Sequence, residues 1–221
     1  VSTDRFHYLA WKELADAEGL DFDETVNHRL RGVSRAESLR RIHEHNAVEP
    51  PEGERFEALM TSKNARYVEY ISGMTPDDVL PGALELLRDL RQRGVKLAVS
   101  SASRNTPLVL ERTGLREWFD AVIDGNCVTR SKPDPQGFTY AAQRLRALPW
   151  NCLGVEDAES GIEAIHRAGM LAVGVGSQNA DAELRVEATA DLSAEGLEGF
   201  WRRTPNPLNP YLERNIRKAQ H

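Results

Sequence analysis

The fold is decided by the stretch VKLAVSSASRN at residues 95–105, where an apolar run is followed by small polar residues. Such a run, bounded by a glycine and a serine cluster, predicts a short buried strand over residues 95–100. An amphipathic helical pattern over residues 83–90 precedes it. The further predicted elements are strands at 121–123, 152–155 and 171–175, and helices at about 135–147 and 158–168. Strands that alternate with helices predict an α/β protein with a parallel sheet covered on both faces.

The first third of the chain has a different pattern, with apolar residues at helical spacing. Gly19 ends the first predicted helix, Ser34 opens the second through a capping box with Glu37, and the third covers residues 56–71. We therefore predict two domains and a tail. The predicted bounds are a helical domain at 4–75, a core domain at 1–3 and 76–203, and a proline-rich surface appendage at 204–221.

Composition limits the classes of function. The chain has 221 residues, 40% of them hydrophobic, and a net charge of −6, which argues against a nucleic-acid partner. No apolar run approaches the ~20 residues of a membrane helix, so we expect no membrane partner and a cytoplasmic location. Cys127 and Cys152 form no CxxC pair, so we expect no zinc site and two buried free thiols.

Polar residues follow three of the predicted strands, at the sheet edge where α/β proteins bind ligands. Ser101 to Asn105 precede a helix and suit an anion, although a serine there is also an ordinary helix cap. Lys132 lies in a proline turn and could bind a phosphate, or could be a solvated loop residue. Glu156 and Asp157 favour Mg²⁺ over a simple helix cap, because a cap needs only one acid. Together these signals indicate phosphoryl transfer.

These three signals, with TDRFHYLAWK at 3–12, RGVSR at 31–35 and SASRN at 101–105, closely resemble the β-phosphoglucomutase family of the haloacid-dehalogenase superfamily. The resemblance extends to about residue 201. It implies a Rossmann-like parallel-sheet core of the haloacid-dehalogenase type with an all-helical cap domain. It also implies Mg²⁺ as cofactor, hexose phosphate and hexose bisphosphate as ligands, and a monomeric state.

The resemblance implies a role for each matching residue. Ser101 and Lys132 would bind the transferring phosphoryl group, and Glu156 and Asp157 would hold Mg²⁺. His7 and Lys63 would help to position the acid/base and to close the cap. The residues implied in binding the sugar and its distal phosphate are Trp11, Arg31, Gly32, Val33, Ser34, Arg35, Ala102, Ser103, Arg104 and Asn105. Without the resemblance, Trp11 would be interpreted as core and His7 as an ordinary polar residue.

The sequence departs from the family pattern at the nucleophile. The family's first strand is central in its sheet and ends in Asp-x-Asp-Gly, which supplies the nucleophile and the acid/base. No such strand occurs here; Asp21 and Asp23 have the spacing but follow no core strand, and Asp4 begins a cap helix. We expect the strand to precede Val1 in a longer protein, with an inactive variant as the alternative.

The resemblance implies a phosphomutase that interconverts β-D-glucose 1-phosphate and glucose 6-phosphate through an aspartyl phosphate and a glucose 1,6-bisphosphate. A sugar-phosphate phosphatase of the same superfamily would share Ser101, Lys132, Glu156 and Asp157 but would not need Arg35. A chain that truly starts at Val1 would be a non-catalytic sugar-phosphate-binding protein.

Overall fold

The computed structural model describes residues 1–176 and 181–208, which group into two compact units. The first unit comprises Val1–Val79, Ser101–Glu117 and Asp124–Ser131. The second comprises Leu80–Ser100, Trp118–Ile123 and the described residues from Lys132 onward. The domain bounds expected from the sequence stay a prediction. Most of the expected appendage, residues 209–221, lies outside the described residues.

The regular elements alternate as an α/β fold after a helical start. In chain order they are α1 Asp4–Glu18, α2 Glu24–His28, α3 Arg35–His45, α4 Gly53–Ser72, α5 Ala83–Gln92, β1 Ala98–Ser100, α6 Thr106–Arg112, β2 Ala121–Ile123, α7 Gln136–Leu145, β3 Leu153–Glu156, α8 Glu159–Arg167, β4 Leu171–Val175, β5 Leu184–Val186 and α9 Ala194–Arg203. Among the described residues, no helix is both long and apolar enough to cross a membrane.

Local signals set the helix ends of the first unit. Gly19 adopts a left-handed conformation with φ 70° and closes α1, as predicted. The Ser34 hydroxyl accepts a hydrogen bond from the Glu37 amide at 3.3 Å and caps α3. Only this half of the predicted capping box forms, because the Glu37 carboxylate instead pairs with Arg41. The short helix α2, capped by Asp23, is not apparent from periodicity because it has five residues.

The helices of the first unit enclose two apolar clusters. One lies among α1, α2, α3 and α4 and includes Trp11, Leu39 and Ile42. The other joins α1 and α4 to α6 and includes Tyr67 and Val109. Helix α4 takes part in both clusters, so it fixes the side chains that α1, α3 and α6 present around it.

The second unit contains two parallel sheets. β1 pairs with β2, and β3, β4 and β5 form the other sheet in that order. The larger sheet is covered on both faces, as predicted: Ala172 packs towards α8, and Val173 packs in the cluster that contains Phe200 of α9. Gly154 of β3 lies so close to Ile165 of α8 that a Cβ there would overlap it.

Among the described residues, β1 and β3 are each paired on one side only. Within the described ranges, β1 pairs only with β2 and β3 only with β4. Val155 of β3 is 46% exposed, although strands of parallel sheets are normally buried on both faces. Lys132 contacts the ends of both strands, through Ser100 O at 3.4 Å and through the Glu156 carboxylate. The carboxyl ends of β1 and β3 therefore lie within reach of one side chain.

Some sequence expectations were wrong in detail. β1 begins three residues later than predicted, because the Val95 amide still bonds to Leu90 in the turn after α5. β3 is displaced by one residue, to Leu153–Glu156, and β5 was missed because Arg185 interrupts its apolar pattern. The thiols are not buried: Cys127 is exposed in a loop and Cys152 is half-buried. Apolar neighbours alone do not bury a residue outside a packed element.

Candidate active site

In the first unit, five residues form a group that we call the distal cluster: Arg35, Asn64, Ser103, Arg104 and Asn105. Arg35 is the first residue of α3, and Asn64 lies on α4. The other three precede α6 in a loop held by its own serines. Within that loop the Ser103 amide donates to Ser101 Oγ at 3.1 Å, and the Asn105 amide to Ser103 Oγ at 3.2 Å.

The distal cluster is cationic. Burial lowers the pKa of the Arg35 guanidinium, and the nearby positive charge of Arg104 lowers it further. Within the described part of the chain, neither arginine forms an ion pair with a carboxylate. Arg35 is partly buried and Arg104 is exposed, and two neighbouring positive charges without an acid counter-ion attract an anion. The arrangement can therefore bind a phosphate group.

Lys63, which is 2% exposed, pairs with the half-buried His7 in the same unit. Lys63 Nζ lies 2.9 Å from His7 Nδ1, and its ammonium lies over the rings of Trp11 at 4.8 Å and Tyr67 at 4.6 Å. Burial, and secondarily Arg35, lower the pKa of Lys63 to about 7. Burial lowers the pKa of His7 well below its usual value, with Lys63 and Arg35 adding to the effect. The pair therefore carries at most one positive charge near neutral pH.

When Lys63 is protonated, its ammonium can only donate, and this determines which nitrogen of His7 carries a proton. A neutral imidazole that accepts from Lys63 at Nδ1 keeps its proton on Nε2, which is then a donor. Tyr67 stacks on the His7 ring with the centroids 4.1 Å apart and is only 1% exposed. Burial raises the pKa of the Tyr67 hydroxyl. Trp11, expected at the sugar site, is 2% exposed and packs in the apolar core of the helices.

The loop before α3 is held by an ion pair. Arg31 Nη2 bonds to Asp4 Oδ2 at 2.7 Å, and Asn27 Nδ2 donates to the other Asp4 oxygen at 3.2 Å. Gly32 follows with φ 77°, which turns the chain towards Val33 and Ser34. Asp4 is thus paired with two residues of the first unit, and it begins α1 without a preceding strand.

The loop that contains Ala102 is packed closely against the loop that contains Gly125. A Cβ built at Gly125 would overlap the carbonyl oxygen of Ala102 and crowd Arg104, so only glycine fits there. The Gly125 amide donates to Ser103 O at 3.1 Å. Asn64, Tyr67 and Gly125 were not predicted from the sequence as part of the site. The sequence signal for Gly125 is an isolated glycine two residues after the end of β2.

In the second unit, four residues form what we call the strand-end cluster: Ser100, Lys132, Glu156 and Asp157. Lys132 contacts the Glu156 carboxylate and lies over the Phe138 ring at 5.0 Å, and its side chain is only 12% exposed. Burial lowers the pKa of Lys132 to about 8, and the negative charge of Asp157 opposes this decrease. The ammonium is therefore mainly protonated at neutral pH, and it points to the end of β1.

Glu156 and Asp157 could supply oxygen ligands to Mg²⁺. Asp157 is exposed, whereas Glu156 is held by Lys132 and by the Asp157 amide at 3.0 Å. Residues 1–176 and 181–208 contain no group of three or more acidic, histidine or cysteine side chains placed to hold a metal ion. Two carboxylates nevertheless fit Mg²⁺, which commonly takes one or two from the protein and completes its shell with water and phosphate oxygens.

Gly161 leaves room for the Glu156 side chain. A Cβ at Gly161, in the first turn of α8, would overlap the Glu156 carboxyl group. Ser101 and Lys132, both expected at the transferring phosphoryl group, belong to different units, Ser101 to the first and Lys132 to the second. The structure thus brings together His7 with Lys63 and Lys132 with Glu156 through direct contacts, and Arg35 with Asn105 through their shared partner Asn64.

Comparison with known proteins gives consistent matches. Residues 1–169 match the model for haloacid dehalogenase-like hydrolases. The chain is 41% identical to β-phosphoglucomutase of Bacillus subtilis, over 91% of this chain and 90% of that protein. It is 31% identical to a fructose-1-phosphate phosphatase of Escherichia coli, over 79% of this chain and 90% of that one. The crystal structure of β-phosphoglucomutase from Clostridium difficile superposes with a TM-score of 0.88 at 37% identity, covering 91% of this chain and 92% of that one.

Proposed function

Because the chain belongs to the haloacid dehalogenase-like hydrolase family, we propose that it is a phosphomutase that interconverts β-D-glucose 1-phosphate and glucose 6-phosphate. The resemblance to β-phosphoglucomutase expected from the sequence is confirmed by the matches in sequence and in fold. The proposal takes the reaction to pass through an aspartyl phosphate and glucose 1,6-bisphosphate.

The observation that carries this proposal is the presence of two separate cationic groups. Lys132 belongs to the strand-end cluster, whereas Arg35 and Arg104 belong to the distal cluster in the other unit. A phosphomutase must bind a phosphate at each end of the hexose, because the bisphosphate exposes first one and then the other to the nucleophile. A phosphatase needs only the phosphate that it removes, so the distal cluster favours the mutase.

In the proposed reaction, an aspartyl phosphate donates its phosphoryl group to a sugar hydroxyl, whose proton passes to a second carboxylate. Both carboxylates are proposed to come from an Asp-x-Asp strand outside residues 1–221, and the edges of β1 and β3 are consistent with a strand between them. Lys132 offsets negative charge on the transferring group. When bound by Glu156 and Asp157, Mg²⁺ would polarise the phosphoryl oxygens. The His7 Nε2–H would orient the second carboxylate.

A phosphatase is the second candidate, supported by the 31% identity to the fructose-1-phosphate phosphatase. The test is to supply the full-length natural protein with Mg²⁺ and β-D-glucose 1-phosphate, with and without glucose 1,6-bisphosphate. We expect glucose 6-phosphate as the main product and a strong dependence on the bisphosphate. The Arg35→Ala variant should lose that dependence together with most of its activity. Release of inorganic phosphate as the main product, with Arg35 dispensable, would establish the phosphatase.

A further inference from the structure

We propose that Asn64 is a positioning residue that arranges the distal cluster for an anion before the anion binds. This inference rests on the proposed function, since it assigns the distal cluster to a phosphate. It concerns a side chain on α4 for which the sequence pattern gives no role.

One oxygen of Asn64 joins two donors from distant parts of the chain. Arg35 Nη2 donates to Asn64 Oδ1 at 2.6 Å, and Asn105 Nδ2 donates to the same oxygen at 2.8 Å. Both donors belong to the group expected at the distal phosphate. Two donors that share one acceptor oxygen lie within hydrogen-bonding distance of a common point, as two donors to one oxyanion do. Asn64 therefore holds the two donors close to each other.

The choice of an amide over a carboxylate has an electrostatic consequence. A carboxylate on α4 at this point would be a permanent counter-ion for Arg35, whose charge the ligand needs. A neutral amide oxygen aligns the guanidinium while leaving its charge uncompensated, and the desolvation of Arg35 and its repulsion by Arg104 persist until an anion arrives. Asn64 thus orients the Arg35 guanidinium without neutralising its charge.

The neighbours of Asn64 on α4 favour a fixed side chain. Lys63 is 2% exposed and Tyr67 is 1% exposed, so this part of the helix is anchored on both sides of Asn64. Ser62, by contrast, lies on the exposed face of the same helix. Ser62 is therefore a matched control position. An aspartate there adds the same negative charge to α4 as Asn64→Asp does, but on the exposed face and not beside Arg35.

The test measures sulfate binding by isothermal titration calorimetry, together with the melting temperature, for the protein and four variants. Arg35→Ala defines the part of the binding that belongs to the distal cluster. We expect Asn64→Asp to weaken that part about tenfold or more while the melting temperature does not fall, because the new carboxylate pairs with Arg35. Asn64→Leu should weaken it several-fold, and Ser62→Asp should stay within about twofold of the unaltered protein.

The outcomes separate the inference from the proposed function. If Arg35→Ala reduces sulfate affinity but both Asn64 variants bind normally, the inference is wrong and the distal phosphate site stands. If Arg35→Ala also binds normally, the distal site itself is wrong. Loss of affinity in parallel with loss of melting temperature in both Asn64 variants and in Ser62→Asp would show that Asn64 has only a structural role. In the mutase assay, the Asn64 variants should raise the KM for the bisphosphate more than they lower kcat.

Discussion

Replacing Lys63 by Met should change how the stability of the protein depends on pH. The methionine keeps a similar length and packs against Trp11 and Tyr67, but it carries no charge. Burial lowers the pKa of Lys63 from 10.5 to about 7 in the folded protein. Between these two pH values the unfolded chain binds more protons than the folded one. The contribution of Lys63 to the free energy of unfolding must therefore rise with pH.

The magnitude follows from the two pKa values. Below pH 7 the lysine is charged in both states and burial destabilises the fold, whereas near pH 10 this cost is largely removed. Between pH 7 and pH 9 the free energy of unfolding should rise by about 2 kcal/mol relative to Lys63→Met. Lys63→Met removes one of the causes that lower the pKa of His7, but burial, the largest cause, still keeps the titration of His7 below this pH window, so the difference between the two proteins reports Lys63.

The assay is urea denaturation, followed by fluorescence, at several pH values across this window. Lys96→Met removes an exposed lysine and serves as the matched control, for which we expect a curve parallel to that of the unaltered protein. The reasoning is refuted if the difference between the unaltered protein and Lys63→Met stays flat, or falls, as the pH rises. Either result would mean that the ammonium remains solvated in the folded protein.

The remaining predictions concern the strand-end cluster and one helix cap. Lys132→Met leaves the nearly buried Glu156 carboxylate without its cation, so we expect the free energy of unfolding to fall by roughly 3–5 kcal/mol. Adding Glu156→Gln should restore most of it in urea denaturation, and a small loss in the single variant would contradict the pairing. Gly161→Ala should displace Glu156 and weaken Mg²⁺ binding in calorimetry, while Gly199→Ala in α9, which meets only the flexible end of a side chain, should bind normally. Ser34→Ala removes the cap of α3 and should cost about 1 kcal/mol in thermal denaturation; an unchanged melting temperature would count against the cap.

The parts of the fold that follow local rules were predictable from the sequence. The strand ends at Ser100 and Glu156 were placed within one residue, because apolar runs and the polar residues after them are local signals. The start of α3 at Arg35 and the end of α1 at Gly19 likewise follow from caps. The resemblance to a known family then identified which of the polar residues to compare in space.

The contacts within the clusters could not be predicted in this way. Asn64 has no periodicity or motif of its own, and its partners lie 29 and 41 residues away in the chain. Tyr67 follows the apolar face of α4 and is interpreted from sequence as core, although it also stacks on His7. The charge state of Lys63 depends on its burial and on the nearby charge of Arg35. Such properties arise only when distant segments pack together.

The most direct test of the proposed function is whether, and where, a phosphoryl group becomes attached to the protein. The full-length natural protein and the 221-residue chain would each be incubated with Mg²⁺ and glucose 1,6-bisphosphate, and their intact masses and phosphorylated peptides determined. We expect the natural protein to gain one phosphoryl group on the first aspartate of an Asp-x-Asp sequence outside these residues, and the 221-residue chain to gain none. A phosphoryl group on the 221-residue chain itself, or none on a natural protein that still makes glucose 6-phosphate, would contradict the proposal.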